Sequence, residues 1–150
     1  MLIHSASQLL TLAGGPQRGE VLGSLGIIED GAVLVQKGKI LAVDSTQSLL
    51  EAYPGEETLD AGGRVVLPGF VDPHTHALWA GDRAAEFEMR LQGKTYLDIM
   101  EAGGGILSTV RATRAASRDD LREQTRPRLL RMLHHGATTV EVKTGYGLDY

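Results

Sequence analysis

The sequence predicts an α/β protein whose first part is rich in β-structure. Three observations lead there. Short strand-like runs separated by glycine turns fill the residues before position 65. An apolar strand, several helical segments and a second strand then follow one another, the outline of a βαβ unit with a parallel sheet. The composition is globular, with 42% hydrophobic and 23% charged residues in 150.

In chain order, Gly15 to Gly26 is glycine-rich and polar and reads as an irregular loop. Gly31–Gln36 and Lys39–Val43 are strand-like and meet at Lys37-Gly38, a hairpin turn. Ser45 to Tyr53 reads as one or two helical turns, stopped by Pro54-Gly55. Glu57–Asp60 leads to the turn Ala61-Gly62-Gly63, and a strand begins at Arg64–Leu67. The apolar run Val65–Val71, interrupted by Pro68-Gly69, leads into Asp72-Pro-His-Thr-His76. Helices are expected at about Ala84–Leu91 and at Thr95–Ala102, with Thr95 as N-cap. Gly103-Gly104-Gly105 breaks the chain. Ser117-Arg-Asp-Asp120 opens a longer helix to about His135, in which Pro127 predicts a kink or restart. Gly136 ends it, and Ala137–Lys143 reads as a strand. The expected domains are residues 1–64 and 65–150. The gap between the two strands of the second is about twice the roughly 30 residues that suffice for a whole βαβ unit, and such insertions are where function is usually placed.

Composition excludes several classes. The formal charge of −4 is mild, and the arginines from Arg111 to Arg131 are dispersed in a way that suits solvated helix faces, so no nucleic-acid partner is expected. There are no cysteines, which excludes disulfides and thiolate metal sites and fits a reducing compartment such as the cytoplasm. The first residues make a poor signal peptide, and nothing approaches the roughly 20 apolar residues of a membrane span.

The chemistry concentrates at His74 and His76. Residues two apart on a strand point to the same side, roughly 7 Å apart along the chain, and two imidazoles so placed can converge on one ion. They lie at the carboxyl end of an apolar strand, where parallel α/β sheets place their sites. Asp72 shares their face and could orient a ligand. The plain alternative is two polar residues in a loop, which an arbitrary H-x-H would favour. A hydrolytic zinc site usually has three protein ligands. His4, His134 and His135 read as structural, the last two at a helix end where a cation suits the dipole.

Leu67-Pro-Gly-Phe-Val-Asp-Pro-His-Thr-His76 resembles the signature of the amidohydrolase superfamily, whose first barrel strand ends in a metal-binding H-x-H. Ala77–Arg83, Arg90–Tyr96, Glu101–Ile106 and Thr139–Leu148, in that order, resemble the imidazolonepropionase family within it. The resemblance implies the start of a (β/α)8 TIM-type barrel preceded by part of a small β-sandwich domain, the chain being too short to complete either. It implies hydrolysis of the cyclic amide of 4-imidazolone-5-propanoate to N-formimino-L-glutamate in histidine degradation, by the full-length protein. It makes His74 and His76 ligands of one zinc or iron ion and places Arg83, Tyr146 and, less directly, Tyr96 on the substrate. A homodimer is implied as well. Arg83 suits a carboxylate through its guanidinium fork, and pairing with Asp82 or Glu86 is the ordinary alternative. Tyr146 between two glycines can project over a barrel mouth or serve as a packing lid, and Tyr96 beside a cap is more often core. Glu141 and Lys143 share one strand face and are expected to pair; a metal-bridging role for Lys143 is rejected. The remaining ligands and any catalytic base are expected outside these residues, so the isolated chain is expected to be inactive. Other readings are a different cyclic-amide hydrolase or aminohydrolase of the superfamily, or a non-catalytic truncated fragment.

Overall fold

Successive residues of a strand alternate between faces, and this decides the core of the first unit. The computed structural model describes residues 1–148 and divides into Met1–Pro68 and a second unit from Gly69 onward. In the first, β1 (Leu2–Leu10) and β2 (Ile27–Gln36) run antiparallel. Leu2, Ala32 and Leu34 form a buried cluster on one face, while Ala6, Leu9 and Val33 form another. Antiparallel to β2 runs β3 (Lys39–Ser45), through a turn in which Lys37 (φ 51°) and Gly38 (φ 74°) both take left-handed angles, the hairpin type that matches strand twist. Ser45 then caps α1 (Thr46–Ala52) by accepting the N–H of Ser48, and α1 sets Leu49 onto the Leu2–Leu34 cluster.

The strand that sequence patterning did not mark is the one at the centre. β1 carries a bulge between Ile3 and Ala6, with Ser5 at φ 58°, and an inserted residue breaks the period-two signal. The bulge has a purpose in the pairing. Leu2–His4 pair in parallel with β4 (Thr58–Asp60), and Gln8–Leu9 with β5 (Val65–Val66). The turn between β4 and β5 is fastened at the bulge, where Ala61 N–H donates to His4 O at 2.8 Å and Gly63 N–H to Ser5 O at 2.9 Å. Val65–Val66 therefore belong to this sheet, and the strand that leads to the histidines starts only at Phe70, after Pro68 has interrupted the ladder.

In the second unit β6 (Phe70–Thr75) and β7 (Ala137–Val142) are parallel neighbours. Between them lie α2 (Ala84–Leu91), α3 (Tyr96–Glu101), α4 (Ile106–Ala115) and α5 (Arg118–His134). Packed against β7, α5 is the crossover helix. The other three form the long excursion after the carboxyl end of β6. Full capping boxes start α3 (Thr95 with Asp98) and α5 (Ser117 with Asp120); the sequence predicts the second box and, at Thr95, the N-cap alone. One helix goes unmarked in the sequence, and one expectation is corrected. Ile106–Ala115 is a helix with Thr109, Val110 and Thr113 buried, although its threonines and valine are weak helix formers; burial outweighs propensity there. And α5 runs through Pro127 without a restart, because Pro127 and Glu123 one turn earlier are exposed, so the carbonyl that loses its donor faces water. Among the described residues no helix is long and apolar enough to cross a membrane.

Candidate metal and substrate site

His74 lies in the last part of β6, and His76 follows directly after its end. The sequence suggests that Asp72 orients a ligand; in the structure its Oδ1 instead accepts the backbone N–H of His74 at 3.0 Å and so fixes the main chain there. The two rings come together with centroids 5.4 Å apart and planes at 73°. On its other side His76 meets Tyr146, centroid to centroid 5.6 Å. Three rings from two strand ends are thus contiguous.

The loop after β7 reaches His76 so closely that only glycine fits at 145. A Cβ there would lie 2.4 Å from His76 Nδ1 and 2.8 Å from Cε1. Gly145→Ala is expected to displace the ring and, in the full-length protein, to weaken metal affinity by about tenfold or more, as supporting-shell changes do. Chelator competition would measure this, and unchanged affinity would contradict it.

Two imidazoles form a donor set suited to zinc or iron. The Nδ1 of His76 is buried and, among the described residues, has no hydrogen-bond partner, an expensive state for a polar atom unless something else occupies it. The pair thus fits part of an ion site. His135 at the end of α5 lines a hollow of about 390 Å³ shared with Asp72 and His76. Among the described residues, however, no group of three or more His, Cys, Asp or Glu side chains could hold an ion. His4 instead hydrogen-bonds Ser5 Oγ in the first unit.

The loops that carry the site are held from behind. Arg128 on α5 donates to the carbonyls of Ala77 at 3.0 Å and Trp79 at 2.7 Å, and its guanidinium lies 3.5 Å over the Trp79 ring. Burial lowers its pKa. It is not the solvated helix-face arginine that its spacing suggests. From α4, Thr113 Oγ1 accepts the N–H of Ala80 at 3.2 Å, and Gly81 lies so close that a Cβ would be 2.8 Å from Ala112. The next residue, Arg114, donates to the carbonyls of Gly147 and Leu148. One helix thus braces both the loop after His76 and the loop that bears Tyr146.

Arg83 is the N-cap of α2 and pairs with Glu86, its Nε at 2.8 Å and Nη2 at 2.6 Å from Oε2. The ordinary partner weighed from sequence is therefore present. Arg83 also lies within electrostatic reach of Tyr96 and Tyr146, which brings the three substrate-binding candidates into one neighbourhood. Tyr96 is 56% exposed, not core, and a Cβ at Gly105 would lie 3.9 Å from its hydroxyl. Lys143 pairs with Glu141, as expected. Sequence reading missed the roles of Gly145, Arg128 and the glycine triplet. The only available signal was the density of glycines beside aromatic and charged residues.

Arg83 holds the Glu86 carboxyl below its ordinary value of 4.5, with Gly105 N–H adding to the effect. A lowered folded pKa means that the link stabilises above the unfolded value and is lost as pH falls through the folded one. Acid unfolding is expected to lose this contribution below about pH 4.5, and Glu86→Gln should flatten that limb of the stability curve. An unchanged limb would contradict the link.

A model of the amidohydrolase family matches residues 57–139, and one of the bacterial imidazolonepropionase-like composite domain matches residues 31–55. The chain belongs to the amidohydrolase family. Within it, the chain is similar to imidazolonepropionases: 55% identical over 148 residues to that of Herpetosiphon aurantiacus, 52% over 152 to that of Symbiobacterium thermophilum and 53% over 149 to that of Deinococcus radiodurans. Each alignment covers 99% of this chain and 34%, 36% and 37% of the relative, so the chain spans about a third of their length. Among solved structures, Escherichia coli guanine deaminase matches with a TM-score of 0.58 at 20% identity, over 94% of this chain and 30% of that one. Helicobacter pylori aminofutalosine deaminase matches with a TM-score of 0.57 at 17% identity, over 93% and 28%. The shared fold is the start of a (β/α)8 barrel with a β-rich element before it, not closed here. Asp149 and Tyr150 lie outside the described residues.

Proposed function

We propose that the full-length protein is a metal-dependent hydrolase that opens the ring amide of 4-imidazolone-5-propanoate to give N-formimino-L-glutamate, in the cytoplasmic degradation of histidine. The observation that carries this reading is the convergence of His74, His76 and Tyr146 at the ends of two parallel strands, with Arg83 and Tyr96 nearby. The similarity to imidazolonepropionases supports the choice of substrate.

His74 and His76 supply two ligands to a single zinc or iron ion, and other parts of the full-length protein supply the rest. When bound, such an ion provides Lewis acidity toward a ring carbonyl and toward water, whose pKa beside zinc falls to about 7. The chain's own residues bind and orient. Arg83 takes the propanoate carboxylate, and a charged fork sets both position and direction. Tyr146, packed against His76, presents its phenol to the ring beside the reacting carbonyl. The Tyr96 hydroxyl borders the Arg83 side. Overall, water adds across the carbonyl–nitrogen bond, the bond breaks, and the nitrogen leaves protonated. The β-rich first unit is read as part of a small sandwich domain, the second as the start of a barrel, and the working enzyme as a homodimer.

Assaying purified full-length protein against 4-imidazolone-5-propanoate, with metal quantified in the same sample, tests the proposal. Turnover proportional to bound metal is expected. A metal-loaded protein that leaves this substrate intact would overturn it.

A further inference from the structure

Gly103-Gly104-Gly105 has no phosphate-binding context, yet the fold uses it at one point. Glu86 is a buried carboxylate, its side chain 11% exposed, with one oxygen on each of two elements. Oε2 accepts from both Nε and Nη2 of Arg83, and Oε1 accepts the backbone N–H of Gly105 at 2.9 Å. The glycines close over it. A Cβ at Gly104 would lie 3.0 Å from the Glu86 carboxyl carbon and 2.9 Å from Ile99 O, and Gly105 holds φ 78°. Both Glu86 oxygens thus have donors, and the side chain has little room to turn.

We propose that Glu86 is a positioning residue that aims Arg83, and that substrate carboxylate is met by the Nη1–Nη2 edge of the guanidinium. The inference rests on Arg83 being the carboxylate-binding residue. A guanidinium offers two forked edges to a carboxylate. Glu86 occupies the Nε–Nη2 edge, and among the described residues Nη1 has no hydrogen-bond partner. The Arg83 side chain as a whole is 39% exposed, so the pairing with Glu86 does not seal it from solvent.

Electrostatics alone would give the opposite sign. A neighbouring carboxylate partly cancels the charge on Arg83, so removing it would tighten binding of an anion if charge were all that counted. If aim is what counts, removing it loosens binding. Glu86→Gln separates these, because it keeps the volume and can still accept from Gly105, while its amide cannot receive the Arg83 fork and hold Gly105 with the same oxygen.

The test uses the full-length, metal-loaded protein with 4-imidazolone-5-propanoate and with its analogue bearing a neutral carboxamide on the side chain. Glu86→Gln is expected to raise KM for the acid by about tenfold or more, the scale of one charge-assisted hydrogen bond, with kcat changed far less. The amide analogue should respond little. Added to Arg83→Ala, Glu86→Gln should have no further effect, and Glu86→Asp, too short to span both partners, should move KM in the same direction if the glutamine variant does not fold. A lower or unchanged KM, or an equal loss in the Arg83→Ala background, overturns the inference while leaving Arg83 in place. If Arg83→Ala itself leaves KM for the acid unchanged, the reading of Arg83 fails, and this one with it.

Discussion

Full-length protein carrying His74→Ala is expected to purify without its metal ion. The argument is one of ligand number. A structural zinc site contributes roughly 10–16 kcal/mol over about four ligands, so one imidazole is worth roughly 2.5–4 kcal/mol, about two to three decades in affinity. His74 is exposed and makes no hydrogen bond through its ring among the described residues, so its removal should leave the fold intact. His76→Ala is expected to lose the ion as well, but with a structural cost added, since its ring fills the space between His74, Gly145 and Tyr146. Elemental analysis with a parallel thermal melt separates the two effects. Undiminished metal content in His74→Ala would remove this residue from the site.

Arg83→Ala is expected to lower kcat/KM by the equivalent of roughly 2–5 kcal/mol, the range for truncating one partner of a buried charge pair. Two features of the structure favour the lower part of that range. The guanidinium is partly open to solvent, which screens it, and Glu86 already balances part of its charge. The loss should fall on substrates that keep the carboxylate and spare the neutral carboxamide analogue. A change near zero on the acid would reduce Arg83 to a partner of Glu86 and nothing more.

What was legible in the sequence was local. The Lys37-Gly38 hairpin, the N-cap at Thr95 and the capping box at Ser117 are decided by residues within three positions of one another, and each formed where expected. The His-x-His pair at the end of a strand is of the same kind, since its shared face follows from strand periodicity alone. What was not legible depends on contacts far apart in the chain. β1 hides because a bulge at Ser5 interrupts its alternation, and that bulge makes sense only when two different strands share its outer edge. α4 hides because threonine and valine favour strands until burial fixes them. Arg128 looked like one of several dispersed arginines, and only the approach of the loop after His76, some fifty positions earlier, gives it carbonyls to hold. The pairing of Arg83 with Glu86 could be anticipated from spacing, but Gly105 as the third member could not.

The account depends on His74 and His76 sharing one ion, and a structure of the metal-loaded full-length protein, supported by X-ray absorption at the metal edge, addresses this most directly. The expected result is a single zinc or iron ion with both imidazoles bound at about 2.0–2.1 Å. An ion bound elsewhere, or a loaded protein in which either ring stands away from the metal, would contradict it.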